Sequence, residues 1–407
     1  MSRFVRSVVA AAMALTLGGA AACGSDGGSG GAEPDIDLTT LDVGSLPTEP
    51  VTYDRVTSIE QAKAVEGMRL ANVVPLPSEI IPEVSVPAQI ASVAVRTFID
   101  FSSRAIKIRT TAAPAELNAA APGFVVGFVS SGKSNDEYPA LSYEYENIVL
   151  LFEDDAAATS AAQALGRLDF ESVAGSEPVE LAKYPGAIVH AEGGDTKGLI
   201  KSWYATGKFV VFTYVWDNLM AEAKTRDLGK LTARVERALD VIPPALTSFR
   251  ATPKDQLMNL PVDPDNILGR TLSTTKLDSA QVGSPGVFDA HGGLHIVQGT
   301  DSAALLERTG VDRVAWNGGY LYRARDADAA AEIVTEYSST TRLFKRADSP
   351  ENLPNAQCRK YSGPGAADIP YYCYVSHGRY AAQVSALQLK DAQQRIAAQY
   401  AILVNAH

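Results

Sequence analysis

The stretch that decides the fold is Asn147–Leu165, NIVLLFEDDAAATSAAQAL, because its pattern returns later as Gly319–Tyr337, GYLYRARDADAAAEIVTEY. Each reads as an apolar strand, an acidic break and an alanine-rich amphipathic helix. With Asp155 set opposite Asp326 the offset is 171 residues. At the same offset Trp203–Val211 (WYATGKFVV) falls on Tyr374–Ala382 (YVSHGRYAA), matching Gly207 to Gly378 and Lys208 to Arg379. Glycine followed by a cation between two apolar runs is a hairpin signature. Both copies close on a helix, Leu228–Val241 and Leu389–Val404. Upstream, Phe98–Asp100 (FID) matches Val287–Asp289 (VFD), each ahead of a turn and an apolar strand. Each copy is therefore expected to run strand, turn, strand, then strand, long helix, three strands, helix.

The expected fold class is α+β. Two related domains, 53–245 and 262–407, each form an antiparallel-rich sheet packed with two helices, joined by a linker at 246–261. Pro243, Pro244, Pro253, Pro261 and Pro264 punctuate that junction. At the start of the first domain, Thr57-Ser58-Ile59-Glu60 reads as a capped helix start, with the helix running towards Arg69. Prolines 75, 77, 82 and 87 then mark a loop, and Val93–Ile99 and Ala105–Arg109 read as strands.

Ahead of these domains Arg3 and Arg6 precede an uncharged run from Ser7 to Ala22, which ends in small residues before Cys23. That order is a secretory signal peptide over 1–22. A cysteine directly after the small residues resembles the lipobox of bacterial lipoproteins, in which that cysteine is lipidated; Ala20 stands where the pattern prefers leucine. Residues 23–52, rich in Gly, Ser, Pro and Thr, read as a lipidated cysteine and a flexible tether.

The remaining composition narrows the function classes. A hydrophobic content of 46% with 20% charged residues describes an ordinary globular chain with material for two cores. Without the leader's two cations, 34 lysines and arginines face 47 acids, a net charge of about −13 that argues against nucleic-acid binding. After Cys23, the two cysteines left are Cys358 and Cys373, an even pair in an exported chain that reads as a disulfide. At the repeat offset they map to Ala187 and Ser202, on neighbouring expected strands.

Candidate chemistry is sparse. Gly127–Ser134 satisfies the P-loop expression, but Asn-Asp-Glu-Tyr-Pro139 follows where a helix must open, so a polar hairpin loop is expected instead. Asp289, His291 and His295 fall within a Gly-Gly turn and read as a hairpin, with metal ligation the competing reading. Of the five histidines (His190, His291, His295, His377, His407), His190 ends a strand near Glu192 and Asp195 and is the one to test as a general base. Aromatics cluster at Trp203–Trp216 and Tyr371–Tyr380, as core cross-strand pairs or as the wall of a groove between the halves. No catalytic, metal or cofactor set is assigned.

Val65–Pro77 (VEGMRLANVVPLP), Gly123–Ser131 (GFVVGFVSS), Ala140–Ala162 and Gly286–Ile296 (GVFDAHGGLHI), taken with the leader, resemble large exported lipoproteins of actinobacteria that carry a two-part domain of unknown function. The resemblance implies attachment to the extracytoplasmic face of the cell membrane through Cys23, and transfers no activity or site residues. The expected function is a non-enzymatic binding or interaction module, its ligand or partner held between the duplicated domains. An envelope hydrolase using His190 or His291/His295 is the alternative.

Overall fold

The structure, a computed structural model, describes residues 36–87, 96–135, 137–273, 284–297, 301–363 and 369–406. The signal peptide, Cys23, the first part of the tether, Asp136 and His407 lie outside the described residues.

The first half begins with α1 (Ile59–Ala71), started where the sequence marks it: the Ser58 hydroxyl accepts from the Gln61 N–H at 3.2 Å. Next come α2 (Pro77–Ile80), β1 (Val86–Pro87), β2 (Thr97–Phe98), α3 (Arg104–Lys107), α4 (Pro114–Ala120), β3 (Phe124–Lys133) and β4 (Tyr143–Phe152). After α5 (Asp155–Glu171) follow β5 (Glu177–Val179), β6 (Ile188–Ala191), β7 (Leu199–Thr206), β8 (Phe209–Asp217), α6 (Asn218–Glu222) and α7 (Leu228–Leu246). The strands lie in the order β1-β3-β4-β8-β7-β6-β5, with β2 also on β3, all antiparallel.

The second half holds β9 (Gly286–Asp289), α8 (Ala290–Leu294), α9 (Ser302–Arg308), β10 (Arg313–Trp316), β11 (Tyr320–Arg323) and α10 (Ala327–Ser338). It ends with β12 (Phe344–Ala347), β13 (Gln357–Tyr361), β14 (Tyr371–His377), β15 (Tyr380–Ala386) and α11 (Leu389–Asn405). Its order, β12-β13-β14-β15-β11-β10-β9, is that of the first sheet element for element. Each half is thus a seven-stranded antiparallel path between two long helices, and the α+β duplication read from the sequence holds. Alternation along the strands explains the layering: Trp203, Phe212 and Ile148 face α5, while Ile200, Val211 and Val149 face α7. Trp203 stacks on its cross-strand partner Phe212 with centroids 4.0 Å apart. Gly207 and Gly378 turn the two matched hairpins with φ of +52° and +49°.

Several local expectations are corrected. Ala105–Arg109 is not a strand but the end of α3 and its exit, because Ser103 caps the Ala105 N–H at 3.3 Å. The turn after β9 is likewise the helix α8. Four strands, not three, follow each long helix. The repeat is also not uniform: the caps of α5 and α10 are Asp154 and Asp326, so Asp154 rather than Asp155 is the true match. Cys358 faces Cys373 as Val189 faces Ser202, which makes Val189, not Ala187, its counterpart.

The tether is the larger correction. Residues 36–52 lie along α11, with Leu41 buried and Val43 and Leu46 packed beside Ala398 and Ile402. Asp42 takes Lys390 and Gln394, the Thr48 carbonyl accepts from Asn405 at 3.0 Å, and the Val51 N–H donates to Gly269. Those apolar side chains cover a stripe of α11 that would otherwise meet water, which is why a segment of linker composition is held in place.

The junction is ordered too. α7 runs through Pro243 and Pro244 to Leu246, and the Thr252 N–H donates to the buried Glu66 carboxylate at 2.7 Å.

Candidate ligand site at the seam

α1 is the wedge between the halves. It touches β3 of the first sheet and β9 and α8 of the second, at a distance only glycine permits. A Cβ on Gly67 would stand 2.3 Å from Thr97 Cγ2, and one on Gly286 would stand 1.8 Å from Met68 Sδ.

Beside this tight contact the same helix leaves a space. Glu60, Gln61, Ala64, Val65 and Met68 share one face of α1, as their spacing requires. Together with Tyr53, Thr57, Thr97–Asp100, Ser102, Ser103, Val262, Leu268, Ser284 and Pro285 they enclose a cavity of about 520 Å³. Its interior is apolar, with Met68, Phe98 and Leu268 buried in the surrounding core. Its mouth is polar: Glu60, Asp100 and Ser102 are exposed, and Asp100 Oδ1 accepts from the Ser102 N–H at 2.7 Å and its hydroxyl at 2.6 Å. Among the described lining residues are two carboxylates and no lysine or arginine. A cavity of this size and lining suits a small amphiphilic ligand.

The histidines fall elsewhere along the seam. Asp289, His291 and His295 are on α8 and its flanks, not on a hairpin. Asp289 caps the helix through the Gly292 N–H at 2.8 Å, His291 Nε2 lies 3.1 Å from Glu79, and His295 Nε2 donates to the Val74 carbonyl at 2.9 Å. The Glu79 hydrogen bond raises the His291 pKa, whereas burial, with His291 alongside, pushes His295 down to about 3. Among the described residues no group of three His, Cys, Asp or Glu side chains converges as a metal set. His295, Arg96, Ser131 and Ser302 line a second, smaller cavity of about 110 Å³.

His190 is buried in the first sheet, with its Nε2 3.8 Å from Asp169 and neither ring nitrogen hydrogen-bonded among the described residues. Burial lowers its pKa. Glu192 does come close, through Lys201 Nζ at 2.9 Å, but Asp195 lies at the surface with Lys224. Asp169 organises this cluster. It accepts from Thr110 at 2.7 Å, Lys201 at 3.3 Å and the Trp203 indole at 3.0 Å. In register, His190, Lys201, Tyr214, Glu146 and Ser131 form one row across five strands, and Glu146 pairs with Arg109.

Sequence reading missed Asp169, Lys201, Arg109 and Glu146. Asp169 was findable: it extends the buried stripe Ala158, Ala161, Ala162 and Leu165, where an acid implies a buried partner.

The P-loop match is resolved by extended backbone. Gly127–Lys133 is the interior of β3, with Lys133 opposite Glu144, and a Cβ on Gly127 would strike the Phe98 ring at 2.2 Å. His377 lies at the β14–β15 turn with its ring edge-on to Tyr400. Cys358 and Cys373 are directly cross-strand, their sulfurs at the disulfide distance of 1.98 Å.

The N-terminal domain of unknown function DUF7373 matches residues 53–262, and its C-terminal domain matches residues 267–406. The chain belongs to this two-domain family. No curated protein and no solved structure matches it.

Proposed function

Starting from membership of that family, we propose that the protein is a lipoprotein of the bacterial cell envelope, attached to the extracytoplasmic face of the membrane through Cys23. It works there without catalysis, as a binding module whose ligand occupies the cavity beside α1. The observation that supports binding is the 520 Å³ apolar space with a polar mouth where the two copies meet. Attachment is supported by the leader and Cys23 in the sequence, and by the actinobacterial lipoproteins that the chain resembles. Among the described residues no helix is long and apolar enough to cross a membrane. The hydrolase alternative has weaker support, since His190 and His295 are buried and His291 is engaged by Glu79.

Radiolabelled palmitate fed to producing cells should mark the wild-type chain and not Cys23→Ala. A wild type left unmarked, or a Cys23→Ala chain marked equally, overturns the attachment. Turnover of chromogenic esters that is lost in His190→Ala or His291→Ala would overturn the non-catalytic reading.

A further inference from the structure

We infer that the cavity beside α1 selects amphiphiles whose polar end is uncharged or cationic and discriminates against anionic ones; this rests on the binding reading above. The deep wall dictates an apolar ligand body. Val65, Met68, Phe98, Val262 and Leu268 gain from covering hydrocarbon, while an ionised group placed against them loses hydration without a partner. The ligand's polar end must therefore lie at the mouth.

At the mouth the groups available are Thr57, Gln61 and Ser102, which exchange hydrogen bonds with hydroxyls or amides, and the carboxylates of Glu60 and Asp100. Asp100 is fixed by its two bonds from Ser102, so its charge stays at the rim. Lys63, one turn along α1 from Glu60, directs its ammonium to the Phe124 carbonyl at 3.5 Å and is not part of the lining. An anionic headgroup would meet two like charges and, among the described residues, no lining cation. An ammonium would meet two opposite ones, and a sugar or amide would find acceptors and donors without a charge penalty.

The test uses the full chain carrying Cys23→Ser, so that no acyl group competes for the space, and N-phenyl-1-naphthylamine as a neutral fluorescent probe. Probe fluorescence should rise on binding. Dodecyltrimethylammonium should displace the probe at about tenfold lower concentration than dodecanoate, which has a tail of similar length. Glu60→Lys with Asp100→Lys should reverse that order while leaving neutral-probe affinity within about threefold. Ala64→Trp, which fills the cavity, should weaken the probe by about tenfold or more; where that chain fails to fold, Val65→Asp attacks the same wall. Two failures are separable. A probe that does not bind, or binds equally well to the wall variants, overturns the cavity as a ligand site. A probe that binds there but yields equally to dodecanoate and to the ammonium overturns the charge selection alone.

Discussion

Beneath α5 the first sheet buries the row His190, Lys201 and Tyr214, with Asp169 and Glu192 on the lysine. In the same topological place beneath α10 the second sheet carries Arg359, Tyr372 and Ser385, among the rings of Phe344, Tyr322 and Tyr374. Arg359 lies 4.1 Å over Phe344 rather than on a carboxylate. Along this one row the first copy carries a closed ionic cluster, and the second an arginine set among aromatic rings. The difference teaches that strand order and turn positions carry this fold, while the chemistry of the layer under the long helix is free to diverge. The condition is that buried polar groups find partners: Asp169 is tolerated because three donors converge on it.

The largest expected effect tests that condition. Lys201→Met strands Asp169 and Glu192 in the interior and should cost about 3–5 kcal/mol in urea unfolding. Tyr372→Met, at the matching position, should cost about 1 kcal/mol; equal losses would break the contrast between ionic and aromatic layers. Removing the second half's cross-link with Cys358→Ala and Cys373→Ala should lower stability by about 3 kcal/mol for a loop of this length. In the first half, Val189→Cys with Ser202→Cys should bond in air, as non-reducing peptide mapping would show, because those residues face each other in the same register. Free thiols there would mean that the two β-hairpin frames are less alike than their pairing implies.

A third test lies at the seam. Counting equally from the caps Ser103 and Asp289 reaches Arg109 in the first half and His295 in the second. Arg109 is held by Glu146, whereas His295 is buried neutral with its pKa pushed from 6.5 to about 3. The unfolded chain therefore takes up the proton first. Stability should fall as pH drops from about 6.5 towards 3, by about 1.4 kcal/mol per unit once the unfolded imidazole is protonated. His291, raised by Glu79, acts in the opposite sense: its contribution is full below 6.5 and lost as pH rises through its folded value. The comparison should therefore be made in His291→Gln, where adding His295→Gln flattens the acid limb of the urea midpoint against pH. An unchanged limb would assign the slope to other groups.

The smallest effect sharpens the alignment of the copies. Asp154→Ala and Asp326→Ala should each cost about 1 kcal/mol as lost caps, against about 0.5 kcal/mol or less for the exposed first-turn Asp155→Ala, read from thermal unfolding.

The sheet-and-helix order was legible because strands, caps and turns are written locally: the apolar run Ile148–Phe152, Ser58 ahead of α1, and Gly207 and Gly378 at the hairpins. α8 was not. Gly292 and Gly293 look like a turn, yet they are glycine because a Cβ would meet Asn72 Oδ1 at 2.2 Å and Val314 Cγ2 at 2.6 Å. That requirement is set by residues distant in sequence, and Asp289 then caps the helix that the glycines allow. The residues that line the cavity were not legible, since its walls come from four separated segments with no shared local pattern. Residues 36–52 were misread for a related reason. Leu38, Leu41, Val43 and Leu46 follow no helical or strand period, because their partner is the groove of a helix made at the other end of the chain.

That partnership fixes an order of events. Thr48 meets Asn405 across a separation of 357 positions, so the earliest described segment finds its seat only after α11 has been made. Closure of so long a loop comes late and slowly, and until then a row of leucines and valines waits uncovered. Loss of residues 36–52 or of α11 should therefore loosen the same contact.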